Sequence, residues 1–309
     1  MTTPWLSVLV PTLNGTATLA ETLASVAAND DPGVELIVID GGSTDATTDI
    51  VTRYQDRLRV TLVRDPASTG WTASTNQALA MARAPHACFL HQDDTWSPRR
   101  LATMKALMAE HPGLPLYTSD AAFIDARGQR VGSWTASWPG ARAVVAPDRA
   151  RDALIVHNFL SCPAPIFETV TARAVGGLDE DLWYTADWDF WLKLAARGGV
   201  AHVPEPLVGF RVHAGSLTVR GSAERPDFLA QMEQVVARHA DAHGAPARIA
   251  RFSNAVNAGL ASALHGARLP VGPIVGAALR LGPADLARYL ATARPDQRVA
   301  ARLRAGVHA

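Results

Sequence analysis

Apolar residues cluster in four short β-rich runs, and between the runs they fall at helical spacing. The runs are Leu6 to Val10, Val34 to Ile39, Val60 to Val63 and Ala87 to Leu90. Leu19, Leu23 and Val26 share one helical face after the first run, and a helix carrying Ile50 and Val51 follows the second. Thr72 to Ala82 and Pro98 to Glu110 complete the alternation. Cap signals agree: Thr44 or Asp45 precedes the second helix, and Ser97 with Pro98 opens the fourth. This alternation predicts an α/β fold, with a mainly parallel sheet covered by helices on both faces.

From Leu116 the rhythm loosens. Gly128 to Pro147, with its glycines, prolines and tryptophans, reads as a long loop or irregular hairpin and as a candidate acceptor-side wall. Regular elements resume around Ala164 to Phe167, and a helix from Thr169 to Val175 stops at Gly176-Gly177 as at a glycine C-cap. Asp187 to Ala196 reads as a helix and Leu207 to Val212 as a strand. Beyond Pro226 the chain is rich in Ala, Arg and Leu at helical spacing. The expected organisation is a catalytic domain over residues 1–222, divided near 115/116 into nucleotide-binding and acceptor-side halves, with a helical region over 223–309.

Composition then removes several classes. Hydrophobic residues make up 48% of the 309, enough for a large core. Lys plus Arg and Asp plus Glu both count 29, so there is no global basic field for nucleic acid. Cys88 and Cys162 form no metal or redox motif and read as buried thiols of a reducing compartment. No signal-like segment precedes the first strand. The uncharged stretch Leu269 to Leu279 is too short to span a bilayer and contains Pro270 and Pro273. A cytoplasmic protein is expected, with peripheral membrane contact and homodimerisation left open.

Chemistry concentrates at a few places. Asp40 ends the second strand run, where α/β proteins present ligand-binding groups, and Gly41-Gly42 permit close backbone approach. The same residues also make good turn and capping chemistry. Asp93-Asp94 follows the fourth run; two adjacent carboxylates repel unless a cation or donor compensates, and Mg²⁺ or Mn²⁺ would share its oxygen ligands with a diphosphate. Asp187 and Asp189 open a helix among aromatics, where desolvation suits a general base, although for Asp189 a helix N-terminus is reason enough. His213 ends the last strand and reads as a metal or phosphate contact, against the blander structural role of most lone histidines. Trp134, Trp138 and Trp188 are candidate sugar-stacking acceptor contacts, with core packing as the alternative. The chain has no GxGxxG after its first strand, no GxxxxGK[ST], no GxSxG and no HExxH, which removes dehydrogenase, P-loop, α/β-hydrolase and zincin readings.

Taken in order, these motifs resemble family 2 of the inverting glycosyltransferases, which have the GT-A fold. Ser7-Val8-Leu9-Val10-Pro11-Thr12-Leu13-Asn14 resembles the family's opening strand and nucleotide-contacting turn, and Glu35 to Asp45 its second strand. Gly70-Trp71 with Asn76-Gln77-Ala78 is similar to the segment that closes over the nucleotide. Asp93-Asp94 matches the DXD-like element, and Ala186-Asp187-Trp188-Asp189 the acceptor-side motif, with Ala186 where a Glu is usual. Phe210 to Ser216 is similar to the late His-containing motif.

The resemblance implies Pro11, Thr12, Asn14, Asp40, Gly41, Gly70, Trp71, Asn76 and Asp93 as nucleotide-binding residues. It implies Asp94, His213 and Asp93 around Mg²⁺ or Mn²⁺, and Asp187 as the base. The donor would be a nucleotide-diphosphate sugar, UDP being the family's commonest carrier with dTDP and GDP open. The acceptor, whether saccharide, lipid-linked glycan, peptide or natural product, stays open. Rival readings are a catalytically silent nucleotide-sugar-binding or scaffold protein, and a sugar nucleotidyltransferase. The latter needs a basic Gly-rich loop that Pro11 to Gly15 does not supply.

Overall fold

The computed structural model describes residues 3–68, 70–138, 144–213, 215–216, 225–241 and 244–306. Strands β1 (Leu6–Thr12), β2 (Val34–Asp40), β3 (Arg59–Arg64) and β4 (His86–Phe89) pair in parallel in the order β3-β2-β1-β4. Helices α1 (Leu19–Ala27), α2 (Thr47–Arg53), α3 (Trp71–Met81) and α4 (Arg100–Glu110) connect or follow them.

β1 and β2 are buried along their whole length because both sheet faces are covered there, while β3 at the sheet edge is only partly buried. Val8, Val10, Leu36 and Val38 point into one buried cluster with Leu19 and Leu23 of α1, and the alternate residues Leu9, Ile37 and Ile39 point into the other. At α2 the N-cap position falls on Ala46 and not on Thr44 or Asp45, and the Asp45 carboxylate accepts the Thr47 N–H at 3.0 Å from one residue further back. Helix α4 begins two residues after Pro98.

The looser second half holds more sheet than its pattern suggested. β6 (Leu116–Ile124) and β10 (Val200–Arg211) pair in parallel, and the short β9 (Ile166–Glu168) lies between β6 and β4, antiparallel to both. β5 (Thr95–Trp96) closes one edge against β10, β7 (Arg130–Trp134) pairs with β6, and β8 (Val144–Val145) pairs with β10. The Gly128 to Pro147 segment is therefore a hairpin arm followed by a short strand, with residues 139–143 outside the described set.

Helices α5 (Pro147–Leu154), α6 (Thr169–Ala174) and α7 (Ala186–Gly198) pack on the sheet, and α6 ends at Gly176 and Gly177, both at positive φ. The tail is helical as expected: α8 (Arg225–His239), α9 (Ala245–Leu264), α10 (Val271–Leu281), α11 (Pro283–Ala293) and α12 (Pro295–Arg304). Phe228, Met232 and Val235 of α8 join the main core, while α12 lies against β7 so closely that a Cβ added at Gly132 would stand 3.2 Å from the Ala301 Cβ. Among the described residues no helix is long and apolar enough to cross a membrane.

Candidate active site

A cleft of about 1280 Å³ opens where β1, β4 and β10 end, and its far wall comes from α7, α9 and α12. Pro11, Thr12, Asn14, Gly41, Gly70, Trp71, Asp93, Asp94, Trp134, Asp187, Trp188 and His213 all line it. Residues more than two hundred apart in sequence thus meet in one cavity.

The floor of the cleft is built by hydrogen bonds between strand ends. The Gln92 Oε1 accepts from the Thr12 hydroxyl at 2.6 Å and the Leu13 N–H at 2.9 Å, while its Nε2 donates to the Leu13 carbonyl at 3.1 Å. The Asn14 Oδ1 accepts the Thr44 N–H at 3.0 Å and its own N–H donates to the Ser43 hydroxyl at 2.8 Å, which ties the β1 turn to the β2 turn. Asn14 has φ 49°, and Asn tolerates that left-handed conformation.

Asp40 is fully buried and is not part of the cleft lining. Its carboxylate accepts the Ser43 N–H at 3.0 Å and the Ser43 hydroxyl, and stands 3.6 Å from Arg64. The turn-capping reading describes its geometry, and Gly41 is the residue of this pair that faces the cleft. Asn76 is likewise turned away: it donates to the Leu178 carbonyl and accepts the Leu178 N–H, each at 2.9 Å, pinning α3 to the loop before α7.

Asp93 and Asp94 occupy different surroundings. His213 Nε2 and Asp93 Oδ2 are 3.0 Å apart. Burial pushes the Asp93 carboxyl up, but the His213 hydrogen bond and the nearby His91 and His213 charges prevail and hold it below the ordinary range. Asp94 is 2% exposed; its Oδ1 accepts the Arg211 N–H at 3.1 Å, and its Oδ2 is buried without a hydrogen-bond partner. Burial first and the Asp93 charge second push its carboxyl well above the carboxylate range, against the pull of Arg211.

Such an orphaned buried carboxylate oxygen beside a second carboxylate and an imidazole fits a hard divalent cation. Among the described residues no three His, Cys, Asp or Glu side chains are already converged as a metal shell, so a cation here would take its other ligands from phosphate or water.

Arg211 was not singled out in the sequence, yet it organises this corner. Its buried guanidinium donates to the Asp93 carbonyl at 2.7 Å, the Asp125 carbonyl at 2.9 Å and Glu21 Oε2 at 2.7 Å. The signal lay in its place two residues before His213, at the end of an apolar run where a charge needs partners.

Across the cleft Asp187 stands in the first turn of α7. Asn158 Nδ2 donates to its Oδ2 at 3.1 Å and the Trp188 N–H donates to its Oδ1 at 2.8 Å. Burial outweighs both bonds and raises its carboxyl to about 6. The buried Cys162 thiol, which also lines the cleft, is pushed up by burial and then by Asp187, Asp94 and Asp93 together. Asp189 is spent on structure, between Lys193 Nζ at 2.6 Å and His239 Nε2 at 2.7 Å.

The tryptophans divide. Trp134 stacks on Phe123 with centroids 5.1 Å apart, donates from Nε1 to the Phe159 carbonyl at 2.7 Å, and keeps a face to the cleft. Trp188 borders the cleft but is 3% exposed and anchored by its Nε1 on the Leu154 carbonyl at 2.7 Å. Trp138 lies outside the cleft, packed edge-on to Phe159 and bonded to Thr118.

A parallel half-sheet ending in paired carboxylates, an opposing half that carries one desolvated carboxylate, and a single cleft between them define a GT-A glycosyltransferase. Residues 7–149 match the family model described as glycosyl transferase family 2. Over 196 residues it is 28% identical to a PGL/p-HBAD biosynthesis glycosyltransferase of Mycobacterium bovis, which covers 62% of this chain and 70% of the relative. It is 30% identical over 226 residues to the O-antigen biosynthesis protein RfbC of Myxococcus xanthus, covering 71% of this chain but only 17% of that longer protein.

The fold is similar to that of S. aureus TarS residues 1–349 in complex with UDP-GlcNAc, with TM-score 0.65, 20% identity and coverage of 98% and 89% of the two chains. It is also similar to the mannosyltransferase PcManGT of Pyrobaculum calidifontis in complex with GDP-Man and Mn²⁺, with TM-score 0.59, 19% identity and coverage of 99% and 88%.

Proposed function

We propose that this enzyme transfers a glycosyl group, with inversion, from a nucleotide-diphosphate sugar to an acceptor hydroxyl or comparable nucleophile. UDP is the first carrier to test, with dTDP and GDP behind it. The observation that carries the reading is the opposition across one cleft of Asp187, poised near neutrality, and the Asp93-Asp94 pair with its unpartnered oxygen.

The nucleotide is bound by the β1 turn, Gly41 and the Gly70-Trp71 corner, with Asp93 toward the ribose. Asp94, Asp93 and His213 would hold Mg²⁺ or Mn²⁺, which would neutralise charge on the departing diphosphate. Asp187 takes the acceptor proton as its nucleophile attacks the anomeric carbon from the face opposite the diphosphate. Asn158 keeps the Asp187 carboxylate aimed. Its Oδ1 accepts the Leu160 N–H at 3.3 Å, so the amide cannot turn freely.

The relatives support donor chemistry of this class, since one structural neighbour is complexed with UDP-GlcNAc and another with GDP-Man and Mn²⁺. The test is a thermal-shift panel of nucleotide sugars with and without Mn²⁺, followed by transfer or hydrolysis of the stabilising donor in radiolabelled form. Stabilisation that needs both metal and one nucleotide identifies the carrier. A chain that binds a donor yet neither transfers nor hydrolyses its sugar under any condition fits the silent-binder reading instead.

A further inference from the structure

The cleft wall formed by α12 carries two arginines, Arg298 and Arg302, one helical turn apart and both facing the cavity. Neither makes an ion pair with a carboxylate among the described residues. Arg298 donates through one amino group to the Asn257 Oδ1 and the Ala293 carbonyl, each at 3.3 Å, while its buried Nε has no partner. The Arg302 guanidinium makes no hydrogen bond or ion pair among the described residues. Asp296, on the exposed side of the same helix, bridges neither.

Buried or half-buried guanidinium groups are ordinarily matched by carboxylates, carbonyls or a ligand. Burial, with the neighbouring Arg302 charge adding to it, outweighs Tyr289, Tyr184 and Asp296 and depresses Arg298 to about 10.

The position of the pair relative to Asp187 is given by a chain of contacts. Asn158 bonds Asp187, its neighbour His157 lies 3.3 Å from the Asn257 amide, and Asn257 bonds Arg298. Tyr184, three residues before Asp187, also feels both arginines and Asp187. The arginines therefore belong to the wall on the base's side of the cleft. The Asp93-Asp94 floor is built from other elements.

We propose that Arg298 and Arg302 form an anion subsite that receives a phosphoryl group of the acceptor. Two guanidinium forks offer more positive charge than one carboxylate neutralises, and their planar donor arrays match the oxygens of a phosphate monoester or diester. The acceptor is then a phosphorylated molecule, held by its phosphate while its nucleophile reaches Asp187. This assignment rests on the glycosyl-transfer reading of the same cleft.

The test is calorimetric titration of inorganic phosphate into the full chain saturated with UDP and Mg²⁺, beside R298Q/R302Q and the charge-retaining R298K/R302K. Phosphate is expected to bind the UDP-loaded wild type, to lose at least tenfold in affinity in the glutamine variant, and to recover in part with lysines, while UDP affinity changes less than twofold. Sodium acetate as titrant should bind more weakly; tighter acetate binding overturns the phosphoryl assignment. Glycerol 3-phosphate and farnesyl phosphate distinguish a soluble from a lipid source of the same group.

The proposal fails if phosphate does not bind the UDP-loaded wild type, or binds the glutamine variant equally well. It fails also if that variant loses tenfold in UDP affinity, which would give the arginines to the donor. Asp187→Asn separates the two readings: it should keep UDP and phosphate binding while transfer disappears. Phosphate binding that depends on the arginines in a chain that binds no nucleotide would leave the subsite standing and remove the glycosyl-transfer reading.

Discussion

Asn158 Nδ2 donates to Asp187 Oδ2 at 3.1 Å, and among the described residues this is the only side-chain hydrogen bond that carboxylate receives. A carboxylate with one side-chain partner and a desolvated setting is tuned by that partner. Transfer should fall as pH drops through about 6, where Asp187 takes up its proton. Asn158→Leu removes a bond that favours the charged form, so the acid limb of kcat/KM against pH should move upward. An unmoved limb would show that another group governs it.

The same burial makes Asp187 costly to the fold. Between pH 3.8 and about 6 the folded chain holds a proton the unfolded chain has lost, so stability falls as pH rises across that window and stays lower above it. Asp187→Asn should abolish transfer and yet stabilise the protein at pH 7.5 by on the order of 1–3 kcal/mol. Denaturant melts of both proteins at pH 7.5 and pH 4 check this: the gap should be wide at the first and narrow at the second.

Asp94→Asn replaces the orphaned carboxylate oxygen with a neutral amide. Nucleotide-sugar stabilisation should then lose its dependence on Mn²⁺, with transfer down by about a hundredfold or more, as expected when stabilisation of a leaving group is lost. The melting temperature without ligand should not fall, because a buried charge has been removed. Retained Mn²⁺ dependence would place the metal elsewhere.

Gln92 ties the turn after β1 to the end of β4 through three bonds, at 2.6, 2.9 and 3.1 Å. Gln92→Leu should cost about 1–3 kcal/mol from the polar groups left without partners. It should raise the KM for donor more than it lowers kcat, since the loop it holds binds and does not react. A change confined to kcat would contradict that assignment.

Trp134 and Trp138 should separate cleanly. Trp138→Ala opens a cavity in packed core and is expected to cost about 3–5 kcal/mol. Trp134 presents a face to the cleft, so Trp134→Phe, which keeps the stack on Phe123, should raise the KM for acceptor with little loss of stability. Steady-state kinetics beside melting curves tells the two roles apart.

The parallel half-sheet was readable because Leu6 to Leu90 alternates apolar runs with helical spacing, and β1 and β2 are buried on both faces. The second half was not. β6 carries the buried polar residues Thr118, Ser119 and Asp120 at its centre, and the partners of Thr118 and Asp120 are distant in sequence: His202 bonds Thr118 at 3.0 Å and pairs with Asp120 at 3.3 Å, and Asp120 accepts the Ala136 N–H at 2.9 Å. β10 contains Pro204 and Pro206, which argue against a strand, and the register shifts on both sides of Pro206 show how the ladder accommodates them.

At the site, local motifs identified Asp93, Asp94, Asp187 and His213 as candidates, and the fold brings these four to one cleft. Asp40 and Asn76 could not be told from cleft residues by motif alone, because a side chain that caps a turn and one that binds a ligand occupy the same kind of position. Arg298 and Arg302 left no local sign. What makes each matter is the partner it meets, or does not meet, elsewhere in the chain.

The packing of α12 on β7 has a consequence for the life of the chain on the ribosome. Synthesis runs from the nucleotide-binding strands toward the tail at roughly 5–20 residues per second. The first half-sheet and its carboxylates therefore leave the exit tunnel well before Arg298 does. A nascent chain has the paired carboxylates before it has a complete cavity, and the cleft gains its last wall only once α12 has been made.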